Sequence, residues 1–115
     1  MADTTNLESI LLILKAFSQR LSNAINISQI YLFGSYAKGT ANPDSDIDVL
    51  ILSPDFSGDR LEDLVFLMKI RREFDLRIEP HPFRPDQFNE SHPFYWEVKE
   101  SLIPILWLDA PVINT

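Results

Sequence analysis

Residues 46–52, Asp-Ile-Asp-Val-Leu-Ile-Leu, constrain this chain more than any other stretch. The aliphatic run, with β-branched Ile47, Val49 and Ile51, reads as a strand. Side chains alternate between the faces of a strand, so Asp46 and Asp48 share one face while Ile47 and Val49 take the other. Two carboxylates on one face repel unless something cationic lies between them. A hard divalent ion does this well, because Mg²⁺ takes oxygen ligands and shares carboxylates with substrate phosphates.

The residues just upstream narrow the reading. Residues 28–34, Ser-Gln-Ile-Tyr-Leu-Phe-Gly, form a predicted buried strand that ends at a glycine. Residues 35–45 read as a loop, with Gly39, Asn42, Pro43, Asp44 and Ser45. The chain has three glycines, and two of them sit here. A Gly-Ser directly after a buried strand can expose backbone N–H groups at the start of a helical turn, where phosphate oxygens are cradled and the helix dipole attracts them. Gly34 has no Cβ to hold a ligand off, and Ser35 adds a hydroxyl donor. Lys38 is either a phosphate contact or a solvated loop lysine. Alone, Gly-Ser is a turn and Asp-x-Asp a solvated strand end. Together they say more. At ~6% per residue, Gly34, Ser35, Gly39, Ser45, Asp46 and Asp48 at fixed offsets arise in on the order of 10⁻⁵ chains of this length. The joint pattern therefore reads as a nucleotide–Mg²⁺ site.

The flanking elements suit a small α/β or α+β domain. Residues 5–24 are expected to be an amphipathic helix capped by Thr4 or Thr5, with Leu7, Ile10, Leu11, Leu14, Phe17 and Leu21 on one stripe. Pro54 to Gly58 break the 46–52 strand. Residues 59–74 read as a helix with Leu61, Leu64, Val65, Met68 and Arg72 on one side. Residues 75–83 alternate and read as a third strand, whose Pro80 and Pro82 suit an edge or a strand end. A short helix from Pro85, a longer one near Phe94 to Ser101 and an extended piece at Ile103 to Leu108 complete a small mixed sheet flanked by helices. Arg71 and Arg72 read as a solvated helix end, and Phe94, Tyr95, Trp96 and Trp107 as core. His81 and His92 are isolated, with no second histidine at metal-ligand spacing, and are not expected to be ligands.

Composition sets the outer bounds. With 115 residues, 45% of them hydrophobic, one domain over residues 1–115 is expected to build its own core. The absence of cysteine removes disulfides, thiol nucleophiles and cysteine metal sites. Ten Lys+Arg against 17 Asp+Glu give a net charge of -7, which argues against general nucleic-acid binding. The longest apolar-rich stretch, Ile10 to Ile13, falls far short of the ~20 residues of a membrane span. The N-terminal Met1-Ala2-Asp3 lacks a basic signal region. A soluble cytoplasmic protein, with no membrane partner, is the expectation.

The motif Gly34-Ser35-x-Ala37-x-Gly39, followed by Ser45-Asp46-x-Asp48, resembles the signature of the DNA polymerase β-like nucleotidyltransferase superfamily. The short chain resembles its minimal nucleotidyltransferase (MNT) branch, found as the antitoxin partner of HEPN-domain toxins. The resemblance is strong over residues 33–52 and less specific elsewhere. It implies a mixed sheet, a Gly-Ser turn that binds the triphosphate of ATP or another NTP, and three carboxylates holding two Mg²⁺. It further implies transfer of a nucleoside monophosphate to a hydroxyl with release of pyrophosphate. Asp46 and Asp48 would bridge both ions. The third acid is expected on the next strand, where Glu79 and Asp75 are candidates four residues apart with Arg77 between them; Glu79 is the better placed. Arg77 is then either a structural salt bridge or a phosphate contact. The expected activity is adenylyl transfer to a protein partner, such as a HEPN toxin. The alternative is a non-catalytic antitoxin that neutralises its partner by contact. Leu12 and Ile13, and the apolar run Leu102 to Leu108, mark segments through which the protein is expected to associate, with such a partner or with itself.

Overall fold

The computed structural model describes residues 6–105. The chain runs α1 (Leu7–Ser22), β1 (Gln29–Phe33), α2 (Ser35–Lys38), β2 (Ile47–Leu52), α3 (Arg60–Arg71), β3 (Ile78–Phe83), a 3-10 turn (Pro85–Gln87), α4 (Pro93–Val98) and β4 (Ile103–Pro104). The strands form one mixed sheet in the order β3-β2-β1-β4. β1 lies antiparallel to β2 and β4, whereas β2 and β3 are parallel and joined by the α3 crossover. The mixed α+β architecture is the expected one. Within the 35–45 stretch, residues 35–38 form α2 rather than loop.

Alternation along the strands divides the interior into two cores. Ile30, Leu32, Ile47, Val49, Ile51 and Ile78 point to the face covered by α1 and α3. There Ile10, Leu14, Phe17 and Leu21 of α1 are wholly buried, at ~1.5–3 kcal/mol per side chain. That burial outweighs the cap, which is worth ~1 kcal/mol. The cap residue is Asn6, whose side chain accepts from Ser9 N–H at 3.2 Å; the expected caps Thr4 and Thr5 lie outside the described residues. On the opposite face Phe33, Leu50 and Phe83 pack under Phe88, Phe94 and Val98. This second core stops short of the N-terminal ends of β2 and β3, and there the face carries Asp48 and Glu79.

Helix α3 is turned away from the expected orientation. It buries Asp63, Leu67 and Ile70, while Leu61 (72% accessible), Val65 and Met68 are exposed. The reason is Asp63. Its carboxylate accepts from Ser57 N–H at 2.9 Å, Ser57 Oγ at 3.0 Å and Gly58 N–H at 3.3 Å, tying the start of the helix to the preceding turn. Arg71 is also no solvated end. Its guanidinium donates to the carbonyls of Leu76 at 3.0 Å and Ile78 at 2.8 Å.

Strand β3 lies at the sheet edge, as its prolines suggest. The carbonyls of Arg77 and Phe83 accept from Ile47 and Ser53, so the odd-numbered residues of β3 face β2. Pro80 and Pro82 therefore turn their donor-less nitrogens to the open edge. Leu12 is 63% accessible, whereas Ile13 packs partly buried against the core. Leu102 and Ile103 are likewise partly buried and Ile105 is buried; Leu106, Trp107 and Leu108 lie outside the described residues. Trp96 is 54% accessible and not core. Among the described residues no helix is long and apolar enough to cross a membrane.

Candidate active site

The site is assembled by strand register. Phe33 of β1 pairs with Asp48 of β2, and Asp48 pairs with Glu79 of β3. Gly34 follows Phe33 directly and takes φ 77°, ψ -154°, a combination reserved in practice for glycine. A Cβ there would overlap Asp48 Oδ2 and stand 3.1 Å from Asp48 Cγ. The glycine is thus required both by the turn from β1 into α2 and by the carboxylate beside it. Gly39 closes α2 in the left-handed conformation, with Thr40 N–H returning to the Ser35 carbonyl at 3.0 Å.

The loop to β2 is fixed from both sides. Asn42 accepts from Asp44 N–H at 2.8 Å and Ser45 Oγ accepts from Asn42 N–H at 2.9 Å, so Ser45 serves the turn. Arg77 donates to the Tyr36 hydroxyl at 3.0 Å, and that hydroxyl donates to the Asn42 carbonyl at 3.2 Å. This chain of contacts leads into β2, which begins at Ile47 and leaves Asp46 just before the strand rather than within it.

The structure sets Asp48 beside Glu79 across the β2–β3 register, with Asp46 just before β2 and close enough to act on the Glu79 carboxyl. Burial, a hydrogen bond with Asp46 and the charge of Asp48 raise the Glu79 carboxyl above its ordinary pKa. Asp75 stands apart. Residues 75–77 precede β3 rather than belonging to it, so Asp75 and Glu79 do not share a strand face as expected. Asp75 is bound at both carboxylate oxygens by the Arg77 guanidinium, at 3.0 and 2.7 Å, which holds its acid below the usual carboxylate range. Arg77 is correspondingly raised, Asp75 first among the causes. Asp75 is held in this ion pair and does not join the carboxylate group.

His81 does join it, against the sequence expectation. Nε2 lies 3.4 Å from Asp48 Oδ1 and 3.9 Å from Glu79 Oε1. One ligand atom from each of Asp48, Glu79 and His81 falls within 4.8 Å of the others. His81 sits two residues beyond Glu79 on the same face of β3, and that spacing was the available signal. Its Nε2 is closed off from solvent and makes no hydrogen bond within the protein. A divalent cation fits this donor set, since it would offset the carboxylate repulsion and give Nε2 a partner. His92 is different: its Nδ1 accepts from Phe94 N–H at 3.1 Å and caps α4.

Two hollows lie on this part of the molecule, and one of them reaches the group at His81. Lys38 is exposed at the end of α2 and lines one of about 300 Å³ with Leu7, Tyr36 and Ala41. A larger one, about 550 Å³, starts at His81 and follows the open edge of β3 past Arg84 and Phe94 to Arg60.

Residues 10–102 match the model of the nucleotidyltransferase domain family. A candidate nucleotidyltransferase from Sulfolobus solfataricus has a similar fold, with a TM-score of 0.64, 17% identity, and 90% of this chain and 87% of that chain covered. No curated protein matches the sequence significantly.

Proposed function

Because the chain belongs to the nucleotidyltransferase domain family, we propose that it moves AMP from ATP to a hydroxyl on a partner protein, with two Mg²⁺ held by Asp46, Asp48 and Glu79. The observation that carries this reading is the placement of Gly34 against Asp48 and of Asp48 beside Glu79 across three elements. Bound divalent cations supply charge neutralisation at the triphosphate and at the leaving pyrophosphate. Gly34 and Ser35 receive the phosphates at the turn into α2, with Lys38 as a further contact. The acceptor oxygen forms its bond to the α-phosphorus as the α–β bridging bond breaks. Glu79, with 47% of its side chain accessible, accepts the hydroxyl proton.

A protein acceptor is supported by exposed apolar side chains more than by the site itself. Leu61, Val65 and Met68 make an outward stripe on α3, and Leu12 is exposed on α1. A HEPN-domain toxin encoded beside this chain is the proposed partner. The test is incubation with ATP labelled at the α-phosphate, Mg²⁺ and that partner. Label on the partner is expected from the wild type and not from Asp48→Asn. Binding and neutralisation without any label would replace the enzyme reading with a contact antitoxin.

A further inference from the structure

Resting on the reading of this site as a cation-dependent transferase, we infer that His81 Nε2 is a ligand to one of the cations. The site would then favour a first-row transition ion such as Mn²⁺ over Mg²⁺. Three observations carry the inference. Nε2 is shut off from solvent and lacks a hydrogen-bond partner, yet it is 3.4 Å from Asp48 Oδ1 and 3.9 Å from Glu79 Oε1. The ring is held in place, stacked on Phe94 at 5.8 Å with 17° between planes and met edge-on by Phe33 at 5.0 Å. The strand register puts it on the carboxylate face, two residues from Glu79. An imidazole whose plane is fixed by aromatic walls and whose nitrogen is aimed at two carboxylates has the surroundings of a preorganised ligand. Mg²⁺ prefers oxygen donors and retains its water. Replacing one oxygen by an imidazole nitrogen favours first-row transition ions, which accept nitrogen donors more readily than Mg²⁺ does.

The experiment uses the whole chain, stripped of metal, with Mn²⁺ as the probe and no nucleotide present. Pulsed electron paramagnetic resonance on the Mn²⁺ complex is expected to show ¹⁴N modulation from a directly bound imidazole. His81→Phe keeps the aromatic packing and removes the nitrogen; His81→Gln serves as a second variant if the first folds poorly. Either is expected to abolish the modulation and weaken Mn²⁺ at least about tenfold, the scale on which even the outer partners of metal ligands matter. Mg²⁺ affinity, measured by competition, should change less than Mn²⁺ affinity. Mn²⁺ bound without ¹⁴N modulation, or equal losses for both ions, overturns the inference and leaves the transferase reading intact. If neither ion binds the wild type, even with ATP added, both readings fall.

Discussion

Replacing Gly34 with alanine probes the link between the turn and the carboxylate most directly. Two separable effects are expected. The backbone at φ 77°, ψ -154° is strained for any residue with a Cβ, at ~1–3 kcal/mol. The new methyl also overlaps Asp48 Oδ2, and swinging a short side chain off its rotamer adds ~0.5–1.5 kcal/mol. The sum, about 1.5–4.5 kcal/mol, is a large part of a stability of ~5–15 kcal/mol. Gly39→Ala is the control. It has a similar φ of 78° but nothing within 4 Å of its added Cβ, so only the left-handed term of ~1–2 kcal/mol applies. Urea unfolding of metal-free protein measures both. A double-mutant cycle then isolates the overlap: in an Asp48→Ala background the Gly34→Ala penalty should fall by ~1 kcal/mol. If Gly34→Ala costs no more than Gly39→Ala, or if the Asp48 background leaves its cost unchanged, the close approach does not explain the glycine.

Asp48→Asn should leave the fold intact and cut label transfer by at least a hundredfold, and it should slightly stabilise the metal-free protein by relieving repulsion; wild-type rates in Mg²⁺ would refute the metal role. Glu79 has a raised carboxyl pKa in the fold, so its ionisation destabilises the metal-free protein fully above that raised value and not below its ordinary one near 4.5. Glu79→Gln is thus expected to raise the melting temperature at pH 7 without metal, with a gain that disappears as pH falls through that window; a gain independent of pH would contradict this. The orientation of α3 predicts that Leu67→Ala costs ~2–5 kcal/mol, whereas Leu61→Lys changes stability by less than about 0.5 kcal/mol, both read by chemical denaturation.

The strands and the Gly34–Asp48 segment were legible because their signals are local. A two-residue period, a terminal glycine and β-branched residues all act within a few positions of one another. The α3 face was not legible, because Leu61, Leu64, Val65 and Met68 form the better apolar stripe on paper. What overrides them is the turn-capping carboxylate of Asp63, a charge that periodicity assigns to solvent. His81 escaped for a related reason. Its nearer partner, Asp48, lies on a different strand, and parallel register across a crossover helix is a long-range property. The choice between Glu79 and Asp75 turned on where β3 begins. Asp75 and Arg77 close a turn with each other, and regular alternation starts only at Ile78.

The edge of β3 has a bearing on how anything can reach this site. With Pro80 and Pro82 along it and Arg71 occupying the carbonyls of Leu76 and Ile78, that edge offers little to an incoming strand. An extended peptide cannot prolong the sheet there, so neither fibril-like self-pairing nor strand addition will seal the hollow beside His81. On the proposed reading, a protein acceptor would come in by its side chain, from a loop or a helix end, and leave by the same route. Such an entrance would admit a hydroxyl on a protruding residue while keeping the backbone that carries it at arm's length.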